Sequence, residues 1–243
     1  MKSNTLFPTI IIAASIVFAM FILSNAVINR NKAESTISVT GLSERNFVSD
    51  LIVWKSSFSV KNNNMTLAYA ELKNQAEKIQ KFLVAKGVEA DMLTFSAVDI
   101  SKEFQYVYSS GNTQTVFDGY RLTQTVSLSS NEVEKIEKIS REITELINQG
   151  IEINSQAPQY FYTKLSDLKI EMLAEATQDG KLRATTIAKN GGAKLGKLKN
   201  STMGVFQIVA QNSADDYSWG GAFNTSSKNK TASVTVKLQY GIR

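Results

Sequence analysis

Histidine and cysteine are both missing from this 243-residue chain, and proline occurs only twice. Without a thiol there is no disulfide, no cysteine nucleophile and no cysteine-borne lipid. Without imidazole there is no histidine triad or dyad, and zinc sites built on either side chain fall away as well. The shortage of proline leaves no Pro- or Gly-rich linker to divide residues 31–243. Charge is also sparse, at 20% of residues, with 27 basic against 22 acidic side chains and 43% apolar residues. That balance belongs to a globular chain, neither disordered nor polytopic in a membrane. Setting aside Lys2 and Arg30 leaves 25 basic residues against 22 acidic, only +3, and no nucleic-acid motif accompanies the excess. DNA and RNA are therefore not expected partners.

One long hydrophobic run is present. No charge falls between Ser3 and Asn29, and residues 6–28 read LFPTIIIAASIVFAMFILSNAVI between Lys2 and the pair Arg30 and Lys32. A bilayer core needs about 20 apolar residues in a helix, whereas the apolar part of a secretory signal is about 7–15 residues. Ser24-Asn25-Ala26 still offers a small-x-small cleavage site before Val27. Length favours an uncleaved anchor over residues 1–30, with residues 6–28 in the bilayer and residues 31–243 exported. The expected location is the inner membrane, single-pass, with the C-terminal domain in the periplasm. A soluble periplasmic form after cleavage is the alternative. A chain without cysteine has nothing to oxidise there, which is compatible with export.

Periodicity assigns the rest to the α+β class. Short alternation marks a strand over residues 35–41, and Ile52, Trp54, Phe58 and Val60 share one face of a second at 51–60. After the turn Asn62-Asn63-Asn64, the residues Met65, Tyr69, Leu72, Ala76, Ile79 and Leu83 recur at helical spacing, with Gly87 at the stop. Strands follow at about 92–108 and 116–128, then a helix opened by a Ser129/Glu132 capping box and closed at Gly150. Residues 151–165 read as a strand interrupted by Pro158. A third helix runs from about 166 to 190, and strands at 203–211 and 231–240 end the chain. The expected order is ββ-α-ββ-α-β-α-ββ, three helices on a mainly antiparallel sheet, plus the N-terminal transmembrane helix. Along the third helix Ala176, Gly180, Ala184 and Ala188 form a small-residue seam suited to close backbone approach.

With these elements ordered, the exported part resembles the SIMPL-domain family of bacterial periplasmic and outer-membrane immunogenic proteins. The residues that carry it are Ile37-Ser38-Val39-Thr40-Gly41, Gly87-Val88, Gly119-Tyr120-Arg121 and Gly150-Ile151. The stretch from Glu175-Ala176 through Arg183-Ala184 to Leu195-Gly196, and the strand Ala232 to Leu238, complete it. Gly180 stands where the family more often has Ala. The resemblance implies an exported, repeated α+β fold and, for some members, ring- or cage-like homo-oligomers with an envelope-stress role. It supplies no catalytic residues.

Four local features invite chemistry. Gly191-Gly192-Ala193-Lys194-Leu195-Gly196-Lys197 nearly spells a phosphate-binding loop, but Leu198 stands where Ser or Thr must hold magnesium, and the run follows a helix instead of a strand. It reads as a helix stop. Lys189, Lys194, Lys197 and Lys199 are cations suited to the negative end of that helix, or to phosphate and anionic lipid. Asp99, Glu103 and Asp215-Asp216 are not placed across a cleft by any spacing, so no catalytic pair, metal site or cofactor is expected. The polar loop from Asn212 to Lys230 carries Tyr217, Trp219 and Phe223. These are either a subunit or partner contact, or aromatics folded back on their own core.

The expectation is a non-enzymatic, bilayer-anchored, periplasm-facing protein that self-assembles. Its rival is a monomeric binding module for a glycan, lipid or peptide of the envelope. A carboxylate-dependent hydrolase is the third possibility.

Overall fold

The computed structural model describes residues 6–30, 35–109, 112–213 and 218–243. Four α-helices and ten strands occupy them: α1 (Leu6–Arg30), β1 (Thr36–Val48), β2 (Leu51–Asn62), α2 (Met65–Ala85), β3 (Thr94–Phe95), β4 (Asp99–Ser109), β5 (Asn112–Ser130), α3 (Val133–Glu142), β6 (Glu152–Ser155), β7 (Gln159–Phe161), α4 (Leu165–Asn190), β8 (Leu195–Met203), β9 (Gln207–Ala210) and β10 (Asn229–Ile242). The class is α+β, and the described pairings are antiparallel apart from one isolated parallel bridge.

Instead of one sheet there are two. A six-stranded sheet runs β3-β5-β2-β6, with β4 on β5 and β7 on β2. A four-stranded sheet runs β1-β10-β8, with β9 on β10. Chain contacts group the residues into two compact units. One comprises Met1–Gly41, Thr177–Thr202 and Val236–Arg243, and the other Leu42–Ala176 and Met203–Thr235.

In the larger unit, β2 buries Ile52, Trp54, Phe58 and Val60, the face that alternation assigns. Helices α2 and α3 contribute Leu72, Ile79, Leu83, Ile136 and Ile139 to that core. The apolar face of α2 is displaced from the sequence reading, because Ala68 and Gln75 are buried while Met65 and Tyr69 are exposed. Asn64 caps this helix, its side-chain oxygen accepting from the backbone N–H of Thr66 at 2.9 Å and of Leu67 at 3.2 Å.

Several expected elements differ. The Ser129/Glu132 capping box does not form. Glu132 is the N-cap without a side-chain bond, and the Ser130 hydroxyl accepts from the Glu132 N–H instead. The second half of that helix tightens into a 3₁₀ stretch, Ile143–Gln149, ended by Gly150 at φ 75°. Pro158 separates β6 from β7, as a residue without an N–H must in a paired strand. The strand expected at 203–211 shortens to β9, and β8 is a strand that the sequence reading did not place. The sequence signal for β8 is weak because its residues from Lys197 to Met203 face solvent at a sheet edge, where no alternation is required.

Helix α1 carries exposed side chains throughout residues 10–25. Among the described residues no helix is long and apolar enough to cross a membrane.

Candidate functional site

The small-residue seam of α4 is used inside the chain. Ala176, Gly180, Ala184 and Ala188 are all buried. A Cβ on Gly180 would come within 2.7 Å of Leu238 Cδ1 and 3.3 Å of the Gly41 nitrogen. Its missing side chain therefore lets the helix settle on β1 and β10, and the seam is not open to a second molecule.

The aromatic loop divides. Tyr217 lies outside the described residues. Phe223 is half-exposed and turns back to the body. Its ring lies 6.5 Å from that of Phe161, and its backbone bridges to Ile208. Trp219 turns the other way and is 100% exposed.

A single buried amide holds Trp219 there. Gln207, at the start of β9, donates from Nε2 to the Ser218 carbonyl at 2.7 Å. Its Oε1 accepts from the Ala222 N–H at 2.7 Å and from the Ser218 N–H at 3.2 Å. The Ile208 N–H donates to the Ala222 carbonyl and the Asn224 N–H to the Ile208 carbonyl, both at 2.8 Å. Gly221 sits at φ +92°, and a Cβ there would meet the Phe206 carbonyl oxygen at 2.8 Å. The turn is thus tied down on both sides of a fully exposed indole.

Beside it lies an open groove of about 500 Å³, lined by Leu42, Met203, Val205 and Trp219 with the strand residues Ser233 to Thr235. Leu42, Met203 and Val205 are themselves exposed. At the base of the loop, Lys230 is buried and its Nζ donates to the carbonyls of Tyr160 at 2.9 Å and Asn224 at 2.5 Å. Burial pushes its pKa down to about 8.

A second apolar surface has no counterpart in the sequence reading. Strand β5 is 19 residues long, but it pairs with β2 only from Tyr120 onward. Residues 112–119 are joined to β4 alone, past a bulge between Glu103 and Phe104. This ribbon exposes Phe104, Tyr106, Tyr108, Val116 and Phe117. An isolated two-stranded ribbon is marginal in water, and exposed apolar edges of this kind mark contact sites. Alternation alone cannot separate a ribbon from a core strand. The usable signal was length, since β5 exceeds the 12 residues of β2.

The chemical candidates resolve simply. Gly191-Gly192 ends α4, with Gly192 at φ +74° and the Ala193 N–H donating to the Ala188 carbonyl at 2.8 Å. Glu103 is held below the usual carboxylate range first by Arg121 and then by Lys61. Glu142 is lowered by Lys86, and Glu175 by the Ser43 hydroxyl with Arg45. Burial works against ionising Glu137, but its bonds to Lys228 and Arg141 outweigh that and bring it down too. Asp215-Asp216 lies outside the described residues. Among the described residues no three acidic side chains gather as a metal site.

No curated protein matches the chain. Its residues 37–240 match the family described as SIMPL, protein of unknown function (DUF541). That match covers most of the chain and includes the segments on which the resemblance rested, so the protein belongs to the SIMPL family.

Proposed function

We propose that this is a non-enzymatic, membrane-anchored, periplasm-facing protein whose body self-associates into a closed homo-oligomer with a structural or envelope-stress role. The observation that carries the reading is Trp219, an indole with no intramolecular cover on a tied turn at the rim of an apolar groove. A rigid exposed aromatic loses little entropy on docking and buries a large area, the usual profile of an interface anchor. The ribbon with Tyr106 and Tyr108 supplies a further surface to cover. Closed symmetry brings such surfaces together without leaving any unpaired.

Anchoring by residues 6–28 is supported by their uncharged, apolar sequence and by the exposure of Ile12, Ile16, Phe18 and Phe21 in α1. Such a surface is unstable in water and at home in lipid.

The test is the mass of the full chain extracted in mild detergent, by light scattering across a concentration series. A discrete multiple of 26.8 kDa is expected. A strict monomer at micromolar concentration overturns the assembly. The same groove favours a second reading, a monomeric module for a glycan, lipid or peptide. It predicts saturable ligand binding without any change in mass, and loss of that binding in Trp219→Ala.

A further inference from the structure

Charge that looks evenly mixed along the sequence is sorted by the fold. In the smaller unit, the segments Thr177–Thr202 and Val236–Arg243 carry eight Lys and Arg against one acidic side chain, Asp179. Even Asp179 is engaged, its carboxylate 2.8 Å from Arg183. The larger unit carries 16 basic and 20 acidic residues, so it is net negative. The two signs therefore occupy different units of the same chain.

The cations of the smaller unit also have a focus. A cavity of about 310 Å³ is lined by Ser35, Gly196, Lys197, Lys199, Ile242 and Arg243, with Gly241 opposite Gly196. Lys197 and Lys199 lie two apart on β8 and so project from one face. Lys199 lies across Gly241, with its Cε 3.3 Å from where a Cβ would stand. The floor is backbone. Gly196 and Gly241 approach so closely that a Cβ on Gly196 would meet the Gly241 oxygen at 2.6 Å. Paired bonds of 2.8 and 2.9 Å join Lys194 to Arg243, and the Ile242 N–H donates to the Ser35 carbonyl at 3.0 Å. Among the described residues that line this space none is acidic.

Its address is set by covalent reach. Ser35, on the cavity wall, is five residues beyond Arg30, where α1 ends. Five peptide steps span at most about 18 Å. If residues 6–28 lie in the bilayer, this cavity is held at headgroup level, and Arg30 and Lys32 against Glu34 leave the same short stretch of chain with one further positive charge. Basic side chains so placed attract anionic lipid by about fivefold each.

We propose that the cavity of Lys197, Lys199 and Arg243 docks on the phosphate of an anionic phospholipid headgroup in the leaflet from which α1 emerges. The inference rests on the anchor reading of α1, and its test separates the two. The full chain in non-ionic detergent is titrated with phosphatidylglycerol, phosphatidylcholine or inorganic phosphate, and bound lipid is counted by native mass spectrometry.

Phosphatidylglycerol is expected to bind in preference to both others. Lys197→Gln/Lys199→Gln/Arg243→Gln should weaken it about a hundredfold, three steps of about fivefold. These side chains are exposed, so the unfolding midpoint should not move. Lys73→Gln/Lys78→Gln/Lys81→Gln, which removes equal charge from α2, should leave binding unchanged. Equal binding of phosphatidylcholine, full competition by inorganic phosphate, or equal losses in the two triple variants each overturns the proposal. Retention of the chain in carbonate-washed membranes reports on the anchor alone. Release there refutes the anchor, whereas retention without lipid preference refutes only the headgroup contact.

Discussion

Replacing Trp219 by alanine isolates association from folding. The indole is fully exposed in the single chain, so removing it takes away no intramolecular contact. The change in folding stability should stay within about 0.5 kcal/mol, the usual range for such surface positions. In the assembly the same side chain would bury about 200 Å², which at about 25 cal/mol per Å² sets a ceiling near 5 kcal/mol. Truncating an interface anchor costs about 2 kcal/mol or more. A loss of about 3 kcal/mol is expected, or roughly a hundredfold in the dissociation constant. Sedimentation velocity in mild detergent over a concentration series reads the shift, and thermal unfolding of the same samples reads stability. An unchanged dissociation constant refutes the assignment of Trp219 as an anchor. A lowered unfolding midpoint refutes the claim that it is free of the body.

Gln207→Ala should behave differently, because it leaves Ser218 and Ala222 without the acceptor that ties the turn. Folding stability should fall by about 1–3 kcal/mol, with faster amide exchange over residues 218–224, and an unaltered exchange rate there would sink the bracing role. Lys230 gives stability a pH dependence of definite sign. Its folded pKa lies near 8, below the ordinary 10.5, so between those values the unfolded chain holds a proton that the folded chain has shed. Stability therefore rises with pH across that window, by at most about 3 kcal/mol. Urea midpoints at both ends, compared with Lys230→Met, measure it, and identical slopes in the two proteins would rule it out. Gly196→Ala drives a Cβ against the Gly241 carbonyl, which is backbone and cannot swing aside. A loss of about 1–3 kcal/mol is expected, while Gly241→Ala, which meets the movable Lys199 side chain at 3.3 Å and the Lys197 carbonyl at an ordinary 3.9 Å, should be nearly neutral by the same denaturation assay.

Much of the architecture is legible in residue order because local rules act over a few positions. The buried faces of β2 and β10 follow from alternation: Ile52, Trp54 and Phe58 in one, Ala232, Val234, Val236 and Leu238 in the other. Gly87 and Gly150 stop their helices at positive φ, where a side chain is strained. Pro158 parts two strands for want of an N–H. The family was readable too, since the succession of these pieces is itself a linear property.

What linear reading could not supply is which pieces meet. Alternation in β4 and β5 is the same whether the strands are covered or stand out as a ribbon. The seam at Gly180 reads equally as a subunit contact, and only the positions of Leu238 and Gly41 assign it to the chain's own sheet. Trp219 and Phe223 share one loop in sequence yet face opposite ways, because Gln207 and Phe161 reach them from elsewhere. Charge is the clearest case. A net +3 over the exported residues carries little meaning as a sum, but folding brings the ends of α4, β8 and β10 together and concentrates the positive sign there. Summation along a chain discards position, and electrostatic attraction depends on position above all.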